Sequence, residues 1–334
     1  MADSSRITLQ HIAQSLNAPI DQVMKVILGQ PDVSDELRQG VFSALQEAGL
    51  VHLSRDTAAG ALGIIVPGTL IGDYVGAVVQ GASETAKQRG FSVVLYNERS
   101  SKEHELAQML GGSCKGVISI VPNNYQRTLE LCRSYNRDYV LVDYQGDDEP
   151  GESLTVEVNN RQSIVNVMNY LFDLGHRRVA FITGRMAHAS ARQRLRGYVD
   201  ALAAAGIAYD AELVREGNWM HENGFEHTLA LLALDEPPTA IVASNDLMAF
   251  GAIQAAREQG FQVGTDISIT GFDDIDMAAT VTPSLTTVRQ PMVQLGEAAV
   301  DLLVRRINGE PIDEPRIRLD TQLIIRESTG AVIA

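Results

Sequence analysis

Between residues 62 and 120 the sequence reads Leu62-Gly-Ile-Ile-Val66, Ser92-Val-Val-Leu-Tyr96 and Gly116-Val-Ile-Ser-Ile120, with stretches of helical pattern in the intervals. These apolar, β-branched runs predict strands that are buried on both faces. Four runs of the same kind follow, namely Tyr139-Val-Leu-Val142, Val179-Ala-Phe-Ile182, Thr239-Ala-Ile-Val242 and Ile267-Ser-Ile-Thr270. Buried strands that alternate with helices predict an α/β core of doubly wound parallel sheets. The roughly 270 residues after residue 60 are generous for one sheet, which favours two lobes.

Residues 8–48 carry a different pattern, that of three short helices in one small domain. The apolar residues of the first predicted helix repeat at i, i+3, i+4 and i+7, and Thr8 is placed as its N-cap. The second predicted helix begins at Pro19 after a tight turn and stops at Gly29, and the third begins at Ser34.

The composition excludes several classes of protein. No apolar run approaches the ~20 residues that cross a bilayer, and the first residues lack the build of a secretory signal, so we expect a cytoplasmic protein that does not engage a membrane. The two cysteines, Cys114 and Cys132, have no companion pair, which favours reduced, buried thiols over a disulfide or a zinc site. The sequence contains no glycine-rich phosphate loop, His-Glu-x-x-His pair or nucleophile elbow, so we expect neither an enzyme nor a cofactor.

Five blocks in the second half of the chain match the signature sequences of one protein family, in the order in which that family carries them. They read Leu174-Gly-His-Arg-Arg-Val-Ala-Phe-Ile182, Ala191-Arg-Gln-Arg-Leu-Arg-Gly-Tyr198, Ala243-Ser-Asn-Asp-Leu-Met-Ala249, Ile269-Thr-Gly-Phe-Asp-Asp274 and Pro283-Ser-Leu-Thr-Thr-Val-Arg-Gln290. In this order and spacing they resemble the LacI/GalR (lac repressor and galactose repressor) family of bacterial transcription regulators. One block could arise by chance, but five in order are hard to imitate.

The resemblance implies the domain organisation. A helix-turn-helix DNA-binding domain would take residues 1–48, a linker 49–60, and a two-lobed, periplasmic-binding-protein-like effector core 61–334. Lobe 1 would comprise about 61–160 and 291–320, and lobe 2 about 161–290 and 321–330. The resemblance also implies a homodimer.

Candidate effector-binding residues follow the predicted strands. Ligands of open parallel sheets sit beyond the carboxyl ends of the strands, and Asp143, Asn245 and Asp273 stand at such ends. Carboxylates and amides suit the hydroxyl groups of a sugar-like or nucleoside-like effector, to which a guanidinium and an aromatic ring would add. The resemblance implies Arg194 and Trp219 for these last two roles. It also implies that Gln290 and the loop from Gly68 to Tyr74 face the inter-lobe cleft and are contributed by the other lobe.

These residues also have simpler interpretations. Asn245-Asp246 and Asp273-Asp274 could cap the helices that follow them, with Asp246 the better candidate for a cap. Trp219 could belong to the core, although its neighbours form a polar loop. The acidic residues around Asp273 could suggest a metal ion, but no His or Cys joins them, so we expect none.

The second predicted helix, Pro19 to Leu28, is the element that reads base edges in a helix-turn-helix. The candidate contacts to double-stranded operator DNA are Thr8, Ile20, Asp21, Gln22, Lys25 and Arg55. However, residues 1–60 hold four basic and seven acidic residues, and the linker lacks the family's hinge-helix pattern.

The leading hypothesis is a ligand-responsive transcription repressor that binds its operator as a dimer and a small effector in the cleft. The alternative is a cytosolic sugar-binding or protein-interacting sensor whose degenerate helix-turn-helix no longer binds DNA. A sequence-specific, salt-sensitive DNA complex would separate the two. The cleft loop Leu70-Ile-Gly-Asp-Tyr74 departs from the family pattern and leaves the identity of the effector open.

Overall fold

The computed structural model describes residues 13, 15–16, 18–27, 33–34, 36–37, 40–41, 44, 60–67, 73–98, 103–112, 114–122, 125–144 and 153–332. In the N-terminal part, helix α1 spans Ile20–Ile27. Its Val23 and Val26 are buried together with Ala13 and Val41, and Ile20 is 47% exposed. The periodic apolar residues of this segment therefore build a small core of their own.

Strands and helices alternate along most of the remaining chain. In chain order the elements are β1 (Ala61–Val66), α2 (Asp73–Gln88), β2 (Ser92–Asn97), α3 (Glu103–Gly111), β3 (Cys114–Ile120), α4 (Tyr125–Ser134), β4 (Asp138–Val142), β5 (Leu154–Val158), α5 (Asn160–Asp173), β6 (Val179–Thr183), α6 (Ala189–Ala204), β7 (Val214–Glu216), α7 (His221–Leu232), β8 (Ala240–Ala243), α8 (Asp246–Glu258), β9 (Ser268–Thr270), β10 (Thr287–Arg289), α9 (Met292–Ile307), β11 (Arg316–Leu319) and β12 (Gln322–Ile324). Two short 3₁₀ helices occupy Ala211–Leu213 and Asp276–Ala279.

The chain divides into two compact units. Unit 1 takes the described residues within 1–144, 150–156 and 292–317, and unit 2 takes those within 157–291 and 318–334. A six-stranded sheet has the order β11-β5-β4-β3-β1-β2, in which β1 to β5 pair in parallel. A second, parallel sheet in unit 2 has the order β7-β6-β8-β9. The prediction of parallel sheets in an α/β core is confirmed.

The core of unit 2 explains one of the sequence blocks, Leu174 to Ile182. Phe181 of β6 stacks on Tyr198 of α6 with ring centroids 5.1 Å apart. The buried imidazole of His176 lies 2.9 Å from both Thr239 Oγ1 and Ser268 Oγ. Burial lowers the pKa of His176, so its neutral form ties the sheet together.

Three further observations bear on the composition-based expectations. Cys114 and Cys132 are buried free thiols, and burial raises the pKa of Cys132 to about 12. Among the described residues, no helix combines the length and the apolar character needed to cross a membrane. In the same part of the chain, no cluster of three or more His, Cys, Asp or Glu is arranged to hold a metal ion.

Candidate functional site

Five of the predicted effector residues belong to unit 2. Trp219, Asn245, Asp273 and Gln290 follow β7, β8, β9 and β10, and Arg194 projects from α6. The carboxyl ends of β7, β8 and β9 lie at one edge of the parallel sheet, which is the edge that binds ligands in folds of this class, whereas β10 pairs with β12 in an antiparallel sheet of two strands. The geometry within this set can therefore be described residue by residue.

Arg194 is a buried guanidinium, only 3% exposed. Its Nε donates to Asn160 Oδ1 at 2.7 Å, and its Nη1 donates to the carbonyl of Ser244. The guanidinium carbon lies 3.6 Å from the ring centroid of Phe272 and 5.6 Å from that of Trp219. Hydrogen bonds and cation–π contacts thus fix the forked group before any ligand arrives.

Trp219 is partly exposed and is not a residue of the core. Its backbone is left-handed, with φ of 75°, and its carbonyl accepts from Asn245 Nδ2 at 3.0 Å. Its indole N–H donates to His188 Nδ1 at 3.1 Å. A Cβ on Gly184 would lie 1.9 Å from the indole Cζ2, so only glycine fits beneath this ring.

The capping interpretation is right for Asn245 and wrong for Asp246. Asn245 has the extended backbone of an N-cap, and its Oδ1 accepts from Met248 N at 3.0 Å. Asp246 is fully buried, and its carboxylate accepts from the Thr287 hydroxyl and from Ile275 N. Burial raises the pKa of Asp246 to about 6. Asp246 therefore ties α8 to the segments before and after Asp276–Ala279 instead of capping α8.

Asp273 and Gln290 form a second pair in unit 2. Asp273 has a left-handed φ of 126°, and its Oδ1 accepts from Gln290 Nε2 at 2.7 Å. Gln290 is 5% exposed, and its Oε1 has no hydrogen-bond partner among the described residues. The resemblance assigned Gln290 to the other lobe; this is wrong, because Gln290 lies in unit 2 and bonds to Asp273.

Asp274 has a structural role. Its carboxylate pairs with Arg289 Nε at 2.6 Å and with Arg326 Nη2 at 2.7 Å. The 3₁₀ helix that follows has Ile275 at its N-cap position and no side-chain cap. Neither Asp273 nor Asp274 caps a helix, so the capping interpretation is wrong for this pair.

The other two predicted effector residues, Tyr74 and Asp143, belong to unit 1. Tyr74 lies in the first turn of α2. Asp143 follows β4 with a left-handed φ of 56°, and its N–H donates to Val156 O at 3.0 Å. Residues 68–72 of the predicted loop lie outside the described residues. Effector contacts by all seven of the predicted residues stay a prediction.

Sequence reasoning missed two residues that hold this site, Asn160 and His188. Asn160 is fully buried, and its Oδ1 accepts from Arg194 Nε. Its signal was a second asparagine directly after a helix N-cap, since Asn159 Oδ1 accepts from Gln162 N. No sequence pattern pointed to His188, because only the folding of the chain brings it into contact with Trp219.

The predicted DNA contacts are described in part. Ile20 is 47% exposed on α1, and Gln22 and Lys25 are half-buried beside the buried Val23. Thr8 and Arg55 lie outside the described residues, as does the side chain of Asp21. DNA contact by any of the six stays a prediction.

Comparison with known proteins settles the family. Residues 168–329 match the model of the periplasmic binding protein-like domain. The regulator CelR of Thermobifida fusca is 31% identical over 337 residues, which cover 97% of this chain and 98% of that relative. The chain belongs to the LacI/GalR family of transcription regulators. LacI/GalR proteins are not enzymes, so the prediction of a regulator without catalytic activity is confirmed.

Two solved structures of LacI/GalR regulators extend the comparison. A complex of CelR with cellobiose has a TM-score of 0.76 and 30% identity, covering 97% of this chain and all of the other. The lac repressor dimer bound to its operator and the anti-inducer ONPF has a TM-score of 0.74 and 27% identity, covering 97% and 99%. The predicted architecture, a helix-turn-helix followed by a periplasmic-binding-protein-like core, is confirmed by these matches.

Proposed function

We propose that this LacI/GalR regulator is a cytoplasmic repressor that binds operator DNA as a homodimer under the control of a small effector. The effector is a sugar-like or nucleoside-like molecule. The observation that carries the proposal is the set of side chains gathered in unit 2, namely Arg194, Trp219, Asn245, Asp273 and Gln290.

The chemistry of this set fits a molecule with neighbouring hydroxyl groups. Gln290 Oε1 is a buried acceptor without a partner in the described part of the chain, and leaving such an atom unpaired costs about 1–3 kcal/mol. A ligand hydroxyl beside Gln290 would donate to it, and a second would donate to Asp273. The indole of Trp219 would offer an aromatic face to the apolar side of a sugar ring.

The names of the relatives agree with both parts of the proposal. CelR was solved with cellobiose, and the lac repressor was solved as a dimer on its operator with ONPF. A two-fold dimer presents two reading heads, and palindromic operators mirror that symmetry. We therefore expect an operator made of two half-sites in inverted orientation.

One observation favours a second candidate, a sensor that no longer binds DNA. Residues 1–60 hold four basic and seven acidic residues, whereas phosphate binding depends on local Lys and Arg. In this case the effector site of unit 2 would be the working part of the protein.

One selection experiment separates the two candidates. The purified protein is incubated with a random-sequence duplex library at low and at physiological salt, and the retained DNA is sequenced. The repressor predicts enrichment of one palindromic site, and it predicts that Gln22→Ala costs about 1–3 kcal/mol and relaxes one base position in each half-site. The matched control Gln88→Ala, at the end of α2, should leave the selected site unchanged. No enrichment at either salt would contradict the repressor and support the sensor.

A further inference from the structure

His188 pairs with Trp219, and neither the sequence nor the family match assigns a role to His188. Trp219 is the single tryptophan of the chain. His188 precedes α6 as its N-cap residue, yet its side chain makes no capping hydrogen bond. The imidazole instead faces the indole, with ring centroids 5.9 Å apart and an angle of 17° between the ring planes.

The direction of the hydrogen bond fixes the chemical form of His188. Indole Nε1 can only donate, and it lies 3.1 Å from His188 Nδ1. His188 Nδ1 must therefore accept, which requires a neutral imidazole with its proton on Nε2. A protonated His188 carries donors on both nitrogens and would face the indole N–H with a donor.

The surroundings favour the neutral form. Desolvation by burial lowers the pKa of His188, and Arg185, on the same loop, and Arg192, on α6, lower it further. Arg194 lies across the indole, and Glu216 of β7 reaches the loop by accepting from Met186 N at 3.0 Å. Both charged groups that shift the pKa of this imidazole are therefore cations.

The loop that carries His188 is held from both sides. Arg192 Nη1 donates to the carbonyls of Met186 and Ala187 at 2.8 and 2.9 Å. The carboxylate of Glu216 accepts a hydrogen bond from the N–H of Met186. Gly184, which follows β6, has no side chain and so leaves room for the indole of Trp219. His188 is therefore presented to the indole by a segment that hydrogen bonds hold in place.

We propose that His188 is the positioning residue of Trp219: its neutral Nδ1 holds the indole N–H, and protonation of His188 releases the ring. The inference deepens the proposed function and rests on it, because Trp219 is one wall of the effector site there. The site is then complete at neutral pH and loses its ordered tryptophan in acid.

The experiment uses the single indole N–H of the full-length protein, which gives one signal in a ¹H–¹⁵N spectrum of the indole region. The signal is followed from about pH 8 to about pH 5, together with its exchange rate with water. We expect one transition with a midpoint below the usual histidine value of 6.5, since the pKa of His188 is lowered, and faster exchange on the acid side.

Three variants decide the origin of this transition. His188→Asn keeps an acceptor near the place of Nδ1 that does not titrate, and should remove the transition while keeping slow exchange. His188→Leu should show fast exchange at every pH. His104→Asn, a substitution in unit 1, should behave as the wild type. Thermal unfolding of each variant checks that unit 2 remains folded.

A wild-type signal that does not change with pH would overturn the inference, as would a transition that survives in His188→Asn. Because the measurement involves neither DNA nor effector, its failure leaves the proposed repressor untouched. Failure of the operator selection, in turn, leaves the His188–Trp219 measurement valid.

Discussion

At the scale of single residues, unit 2 holds its polar groups in fixed positions before any ligand is present. Asn160 and Ser244 hold Arg194, and Asn245 and His188 hold Trp219. Arg194 and Trp219 each have a partner side chain, Asn160 or His188, that is not among the predicted effector contacts. Such supporting groups are what keep a binding site in its productive geometry.

Asp246 gives a test at this scale. Its pKa is raised to about 6 by burial, so the folded protein holds the proton more tightly than the unfolded chain, in which an Asp titrates near 3.8. The stability that this proton contributes is present below the unfolded value and is lost as the pH rises from about 4 to about 6. We expect the free energy of unfolding of the wild type to fall across this window relative to that of Asp246→Asn.

Urea unfolding at several pH values measures this difference. Asp235→Asn, at an exposed position of unit 2, is the matched control and should show the wild-type dependence on pH. A difference between the wild type and Asp246→Asn that stays constant from pH 4 to pH 6 would show that the buried carboxyl does not titrate in this window.

At the scale of elements, strands with a continuous apolar run were predictable. The buried β5, whose sequence is interrupted by Thr155 and Glu157, and the short half-exposed strands were not. The apolar runs at Leu62 to Val66 and Val179 to Ile182 lie within β1 and β6, because strands buried on both faces are apolar throughout. In contrast, β7 and β12 have three residues each and are half-exposed, so they carry no apolar run. The site residues that directly follow a strand could be predicted from the sequence. Their hydrogen-bond partners on distant elements, such as Asn160 and His188, could not.

The crossing of α2 and α9 gives a test at this scale. Gly81 of α2 lies so close to α9 that a Cβ would be 2.0 Å from Val293 O, whereas a Cβ on Gly76 of the same helix would meet nothing within 4 Å. We expect Gly81→Ala to lower the free energy of unfolding by about 1–3 kcal/mol or more, because backbone would have to move. Gly76→Ala should raise it by about 0.5–1 kcal/mol, because alanine is the better helix former.

Denaturant unfolding of the two variants under one condition is the measurement. Both replace glycine by alanine on one helix, so propensity alone predicts the same change for both. Equal changes would contradict the close approach of the two helices at Gly81.

At the scale of the whole molecule, family and function class followed from blocks of sequence, but the effector did not. The chain carries a net charge of −15, so any operator complex has to overcome a repulsive background. Helix α1, which is predicted to read the base edges, has an exposed Ile20 and few basic residues. We therefore expect an unusual operator sequence. Effector identity depends on the exact positions of the ligand's hydroxyl groups in the binding site, which residue types alone do not specify.

The central claim is that an effector bound in unit 2 controls the affinity for operator DNA. The most direct test measures the affinity of the selected operator by fluorescence anisotropy, with and without the sugar or nucleoside that changes Trp219 emission. The account predicts a change of about tenfold or more in the wild type. Arg194→Lys should bind operator as the wild type does but lose the response, and Arg127→Lys, at an exposed position of unit 1, should keep it. The same operator affinity with and without saturating effector would contradict the account.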